Sequence, residues 1–514
     1  MALPVFPYPL DDFFKADLGA FFANTQEFLI TILAVVKLMN LFINRLCDNF
    51  ASLSTGDGKA KFFGRFFRQY YIDSFVRLSL HIGDVILHNR LHTVNMKVAL
   101  VHDYLNEFGG AERVLLALSE IWPKAPIYTA FYRKGSTAYE RFRDKKIIAS
   151  WAQRIPFFAK LASPLRFLAP LIWGSFDFSD YDVVITSAGW YVTKGVIRSP
   201  GNQVIRTSGK KGKNPDIPTT RHPDNPIEIC YCHTPPRYLY GYTTSVDWQK
   251  YWPVRAYALV VNHFMRVYDF EAAQRVDYFI ANSREVAGRI KKFYRRDATV
   301  IYPPVDLPAS SDQRLASSIG KKSLNANSLN AERYFLVVSR IVGGKGLNLA
   351  VEVATKMSLK LKVVGSPAGY GGEYQKIKEM ALLRQGFGGQ AGPNVEFLGF
   401  VEDSELAELY SGARAFLALA QDEDFGITPV EAMLCGTPVI AFDGGGYRET
   451  VIQGKTGLFF DPATVGSLTL AINTFLDMEK KGAWDREFIR KYAQKFSKER
   501  FKKQIKEFVE DKLH

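Results

Sequence analysis

Four side chains in the second half of the chain have the charge and spacing to hold a diphosphate and the hydroxyls beside it. Arg340 and Lys345 flank a glycine loop in SRIVGGKG, after a run that reads as a strand. Arg binds phosphate through two parallel hydrogen bonds and Lys acts as a point charge. In isolation the same segment also suits an exposed basic turn. Glu423 and Glu431 lie in EDFGITPVEAM. There Thr428 suits a helix N-cap and Pro429 the first helical position, which puts Glu431 third, in register for a capping box with Thr428. Free amides at such a helix start favour a diphosphate, and a carboxylate one turn in accepts hydrogen bonds from sugar or ribose hydroxyls. Glu431 therefore has both a structural and a functional reading. Glu423, eight positions earlier, falls on the loop before the helix.

Other chemistries lack their residues. There is no Walker phosphate loop, and no G-x-G-x-x-G follows the first strand, so ATPase and hydride-transfer readings have no support. Cys230, Cys232 and His233 are close in sequence, but consecutive strand positions point to opposite faces and the spacing fits no common zinc motif. No metal is expected. Four cysteines in 514 residues make no disulfide framework and suit a reducing compartment. The net charge of +14 fits nucleic acid, an anionic membrane surface or phosphorylated small molecules. With no nucleic-acid-binding motif, the first of these is the weakest.

The elements that would position these residues alternate between strand and helix. From Met96, strands are expected at Lys97–His102, Asp182–Thr186, Ile227–Cys232, Tyr278–Ala281 and Thr299–Tyr302. A glycine loop, Asn106–Val114, opens a helix after the first. A polar stretch, Ser310–Arg333, reads as a linker. The pattern then restarts at Tyr334–Ser339, Leu359–Val364, Asn394–Phe400, Ala415–Leu419 and Pro438–Phe442. Such alternation predicts parallel sheets covered on both faces, and open parallel sheets bind ligands at the carboxyl ends of their strands. Ser208–Asn225 and Arg384–Gly392 read as surface insertions. Arg490–Leu513 reads as one amphipathic basic helix.

Residues 1–95 differ from the rest. Phe28–Val36 is apolar apart from Thr31, and Lys61–Val76 mixes Lys and Arg with Phe and Tyr, which suits a membrane interface. A small helical cap is the competing reading, and Met96 also reads as an alternative start. The expected division is 1–95, a helical and membrane-associated extension; 96–312, an acceptor-side domain; 313–489, a nucleotide-binding domain; and 490–514, the terminal helix.

The blocks EDFGITPVEAMLCGTPVIA and GGGYRET, with Glu423 and Glu431 separated by seven residues, resemble the retaining family 4 glycosyltransferases (glycosyl transferases group 1). Supporting matches are GGAER at Gly109–Arg113, YCHTPPRYL around His233, ANS at Ala281–Ser283 and YPPVD at Tyr302–Asp306. The resemblance runs from Met96 to about Lys512, insertions excluded. It implies the GT-B fold, an α/β architecture of two Rossmann-like domains facing each other across a cleft. It also implies roles. Arg340 and Lys345 would neutralise the donor diphosphate, and Glu431 would hold the ribose hydroxyls. Glu423 would sit at the transferred sugar. Amides near Phe425, Gly426, Ile427 and Thr428 would contact sugar or phosphates. Gly109 and Gly110 would allow close backbone approach across the cleft, His233 would line the reaction centre, and Val401 would lie by the base. Ser339 departs from the glycine common in the family.

The implied reaction moves a hexose from a nucleotide-sugar donor to a glycan or lipid-linked acceptor in surface polysaccharide assembly, without a cofactor. The blocks favour a GDP-hexose, mannose first, over a UDP-hexose. The expected location is the cytoplasm, at the inner face of the membrane. A nucleotide-sugar epimerase or phosphorylase shares the cleft. A catalytically inactive nucleotide-sugar-binding or membrane scaffold is the reading from a different class.

Overall fold

The computed structural model describes residues 96–197, 226–242, 244, 251–306, 333–366, 375, 377–379 and 394–513. The expected extension at 1–95, the linker up to residue 332, and the insertions at 208–225 and 384–392 lie outside the described residues.

Among the described residues, two sheets form, and all strand pairs within them are parallel. The first contains β1 (Val98–His102), β2 (Ile127–Thr129), β3 (Ile147–Ala149), β4 (Val183–Ala188), β5 (Ile227–Cys232), β6 (Tyr278–Ala281) and β7 (Thr299–Val300), in the order β3-β2-β1-β4-β5-β6-β7. The second contains β8 (Phe335–Val338), β9 (Leu361–Val364), β10 (Val395–Gly399), β11 (Ala415–Ala418), β12 (Val439–Phe442) and β13 (Gly457–Phe460), in the order β10-β9-β8-β11-β12-β13. Both are doubly wound, as the alternating pattern predicted.

Each sheet is buried on both faces, which is why its strands read as apolar runs rather than alternations. In β1, Val98 and Leu100 enter one core cluster while Ala99 and Val101 enter another. The first cluster is covered by α1 (Gly110–Ile121). Two long or capping helices follow in this lobe, α2 (Trp252–Arg275) and α3 (Arg284–Tyr294). In the second lobe, α4 (Leu347–Lys356) and α7 (Val465–Lys480) pack on one face. On the other face lie α5 (Asp403–Gly412), α6 (Ile427–Leu434) and α8 (Arg486–Ala493).

The C-terminal stretch differs from the single helix expected. It comprises α8, a 3-10 turn at Gln494–Phe496, and α9 (Lys498–Leu513). Ser497 breaks it: its backbone is extended, its hydroxyl accepts from the Arg500 amide, and it pairs with Val305. The break lets the chain change lobes. Phe496 packs in the second lobe, whereas Phe501, Ile505 and Val509, spaced four apart on one face of α9, are buried in the first. Phe501→Ala should therefore destabilise the first lobe by about 3–5 kcal/mol, the range for truncating a buried aromatic. Denaturant unfolding followed by tryptophan fluorescence measures this; a shift no larger than that of an exposed substitution contradicts the packing.

Among the described residues, no helix is long and apolar enough to cross a membrane.

Candidate functional site

The strand order reverses between β1 and β4 in the first sheet and between β8 and β11 in the second. Ligands bind in open α/β sheets at such switch points, beyond the carboxyl ends of the strands. Gly109 and Gly110 follow β1, Arg340 and Lys345 follow β8, and Glu423 to Ile427 follow β11. Contacts between the lobes join these same ends. Arg113, in the first turns of α1, pairs with Glu431 at 2.7 Å. Arg340 lies 4.0 Å from Glu107. A Cβ on Gly110 would come within 3.0 Å of the Ile427 side chain. The carboxyl edges of the two sheets thus oppose each other.

Three of the four residues first singled out form one electrostatic group. Lys345 Nζ donates to Glu423 Oε2 at 2.7 Å. Burial by itself would raise the Glu423 carboxyl, but Lys345, with Arg237 and Arg340, holds it below its ordinary value. Lys345 reaches this position because Gly346, in the left-handed region, caps α4 where a Cβ would meet Leu419 at 2.7 Å. Arg340 is more than half exposed, with the Glu107 carboxylate 4.0 Å from its guanidinium.

Glu431 is buried, with both oxygens engaged: Oε1 by Arg113 and Oε2 by the Tyr410 hydroxyl at 2.7 Å. The expected capping box with Thr428 does not form. The helix begins two positions earlier, with Gly426 as N-cap at φ 86°, Ile427 first, Thr428 second and Pro429 third. A side chain at 426 would strike Tyr447 at 2.7 Å, so glycine fixes the start. Pro429 is tolerated at the third position because the first amides of a helix have no intrahelical acceptor. Among the described residues, the amides of Phe425, Gly426, Ile427 and Thr428 donate to no protein group. The Phe425 side chain itself points into the core, against Tyr302 and Phe496. Val401 follows the edge strand β10 and packs half-buried against the second lobe's core. Ser339 has its hydroxyl buried without a partner among the described residues.

His233 follows β5, with its backbone amide on Ala188 and its carbonyl held by Asn282. Burial, reinforced by His102, pushes its imidazole down to about 3, so it is neutral at physiological pH. Its side chain bonds within the first lobe, to Ser187 at 2.8 Å.

Several interlobe residues escaped the sequence reading. Asp424, beside Glu423, receives Arg237 at 2.8 Å and also Arg289, both from the first lobe. Glu449 of the second lobe accepts the Arg284 and Glu285 amides at 2.9 and 3.0 Å, at the start of α3. Arg113, Arg237 and Glu449 do lie inside the motif blocks. Arg289, in the middle of a basic helix, carries no local signal. Among the described residues, no cluster of His, Cys, Asp and Glu is placed to hold a metal ion.

Two doubly wound lobes with opposed switch points constitute the GT-B fold. Residues 321–511 match the family model described as glycosyl transferases group 1. The chain is similar to D-inositol 3-phosphate glycosyltransferase of Geodermatophilus obscurus, 28% identical over 245 residues, covering 45% of this chain and 51% of that protein. It is also similar to the alpha-1,3/1,6-mannosyltransferase ALG2 of Dictyostelium discoideum, 24% identical over 284 residues, covering 51% of this chain and 64% of the relative. The chain thus spans about half to two thirds of the length of these curated relatives. Among solved structures, Anabaena HepE in complex with UDP and glucose superposes with a TM-score of 0.55 at 18% identity, covering 81% of this chain and all of that one. That likeness concerns the fold.

Proposed function

We propose that this chain is a retaining glycosyltransferase of the family 4 type, which moves a hexose from a nucleoside-diphosphate sugar to a glycan or lipid-linked acceptor. The observation that carries this reading is the Lys345–Glu423 pair with Arg340 beside it, at the switch point where the α6 amides are also free.

Transfer breaks the bond between the anomeric carbon and a phosphate oxygen. Positive charge grows on the sugar and negative charge on the departing diphosphate. Arg340, Lys345 and the start of α6 oppose the second charge as it develops, which is electrostatic stabilisation by groups already in place. Glu423, kept ionised by its cationic neighbours, accepts hydrogen bonds from the sugar hydroxyls. Glu431 accepts from the ribose hydroxyls; each of its oxygens has a second lone pair beyond those given to Arg113 and Tyr410. The leaving phosphate takes the acceptor's proton on the same face, giving retention. Contacts of Arg113, Arg237 and Arg289 across the cleft favour the closed arrangement, which excludes water from the donor.

The motif blocks favour a GDP-hexose, mannose first; the UDP and glucose bound by HepE make UDP-glucose the second arm of the test. A panel of nucleotide sugars is incubated with the purified chain and with lipid-linked and free glycan acceptors. Release of nucleoside diphosphate together with an elongated acceptor supports the proposal. Donor binding without transfer points to the scaffold, and conversion of the donor without any acceptor points to an epimerase. In the same assay Arg340→Ala should raise the donor Kd about tenfold to a hundredfold, the range for a charge-assisted contact. Unchanged affinity and turnover remove its assigned role.

A further inference from the structure

From His233 a line of four side chains runs back through the first lobe to the start of α1. His233 Nε2 lies 2.8 Å from Ser187 Oγ. Ser187 Oγ lies 3.0 Å from His102 Nδ1, and His102 Nε2 lies 3.3 Å from Glu112 Oε1. The other carboxylate oxygen of Glu112 accepts the Gly109 amide at 2.9 Å, capping α1. His102 and Ser187 are almost fully buried, and they are register partners on β1 and β4, the two strands that flank the switch point.

The donors and acceptors along this line can be assigned by elimination. A carboxylate only accepts, so a neutral His102 donates from Nε2 and leaves its Nδ1 as an acceptor. The Ser187 hydroxyl must then donate to His102 Nδ1, and its lone pair accepts from His233 Nε2–H. His233 is left with a bare Nδ1. Among the described residues that atom has no hydrogen-bond partner, and His233 as a whole is half-buried.

We propose that Glu112, His102 and Ser187 are positioning residues that fix His233 as its Nε2–H tautomer, so that Nδ1 is offered as an acceptor to a hydroxyl entering the cleft. This rests on the reading that His233 lines the reaction centre. Because His233 is neutral, its tautomer rather than its charge is what the line controls.

Glu112→Gln provides the test, because it reverses the line without removing the cap. The Gln carbonyl must face the Gly109 amide, so its NH2 group faces His102 Nε2 and donates to it. His102 then carries its proton on Nδ1, Ser187 accepts there and donates onward, and His233 becomes the Nδ1–H tautomer. Magic-angle-spinning NMR of the full chain, labelled with 15N-histidine, reads the ring nitrogens directly. The chain has eight histidines, and His233 is assigned by the signal lost in His233→Gln. The wild type should show a protonated Nε2, and Glu112→Gln a protonated Nδ1. Adding Ser187→Ala to Glu112→Gln cuts the line and should abolish the inversion. In the transfer assay, Glu112→Gln should lower kcat by at least about tenfold, as a misassigned tautomer does, while the donor Kd stays within about twofold.

A wild-type Nδ1–H tautomer, an unaltered His233 in Glu112→Gln, or an inversion that survives Ser187→Ala each overturns the proposal. The tautomer readout needs no turnover. A chain that inverts as expected yet transfers no sugar from any donor upholds the relay and overturns the transferase reading instead.

Discussion

Lys345→Ala is expected to lower kcat/KM for sugar transfer by about 10²- to 10³-fold, the loss seen when one preorganised electrostatic group is removed from a transition state. The effect has two parts. The departing diphosphate loses a cation, and Glu423 loses the partner at 2.7 Å that most strongly opposes its burial. The Glu423 carboxyl should then rise, because burial acts on it with Arg237 and Arg340 as the remaining counterweights. In the wild type this carboxyl is held below its ordinary value, so its contribution to stability is present at neutral pH and lost as pH falls through that lowered value. In Lys345→Ala the acid limb of the pH–rate profile should move toward neutral pH. Lys345→Arg keeps the charge and should recover much of the rate. An alanine variant that transfers sugar within about twofold of wild type, with an unmoved acid limb, removes Lys345 from the mechanism.

Glu431→Ala is expected to weaken donor binding by about 10- to 100-fold, the range for losing a hydrogen bond to a charged group, and to lower stability as well. Its carboxylate serves two protein partners. The Tyr410 hydroxyl is fully buried and would have no acceptor left, and Arg113 would lose its pairing across the cleft. Isothermal titration with the nucleoside diphosphate alone separates these effects from chemistry. Arg113→Ala is the companion variant. If Glu431 acts only by joining the lobes, Arg113→Ala reproduces its loss of affinity and the double variant adds nothing. If Glu431 holds the ribose, Arg113→Ala has a much smaller effect on the nucleotide, and the double variant binds about as weakly as Glu431→Ala alone, because that substitution already removes the pairing. Equal effects of the two single variants on binding would overturn the ribose assignment.

Much of the fold was legible because parallel strands buried on both faces leave an unmistakable apolar run, as in KVALVH and YFLVVS. β2, β3 and β13 were missed. The first two are three residues long, and IYT or IIA carries no period to recognise. The last helix was read as continuous because residues 490–513 contain no glycine or proline to interrupt them. Ser497 ends one helix and caps the next only because Val305 is there to pair with it.

Sequence alone placed Arg340, Lys345 and Glu423 on loops after strands, since position relative to a strand end is a local property and catalytic loops in this architecture sit there. The start of α6 was misplaced by two positions, because Thr-Pro is a sound local cap signal and the crowding of Tyr447 against Gly426 is not local. The interlobe grip on Asp424 and Glu449, the pairing of Glu431 with Arg113 and Tyr410, and the line from Glu112 to His233 were settled only by tertiary structure. Each joins groups that are remote along the chain. Side-chain charge and hydrogen-bonding capacity are written in the sequence, but which donor meets which acceptor depends on how strands register and how the lobes face.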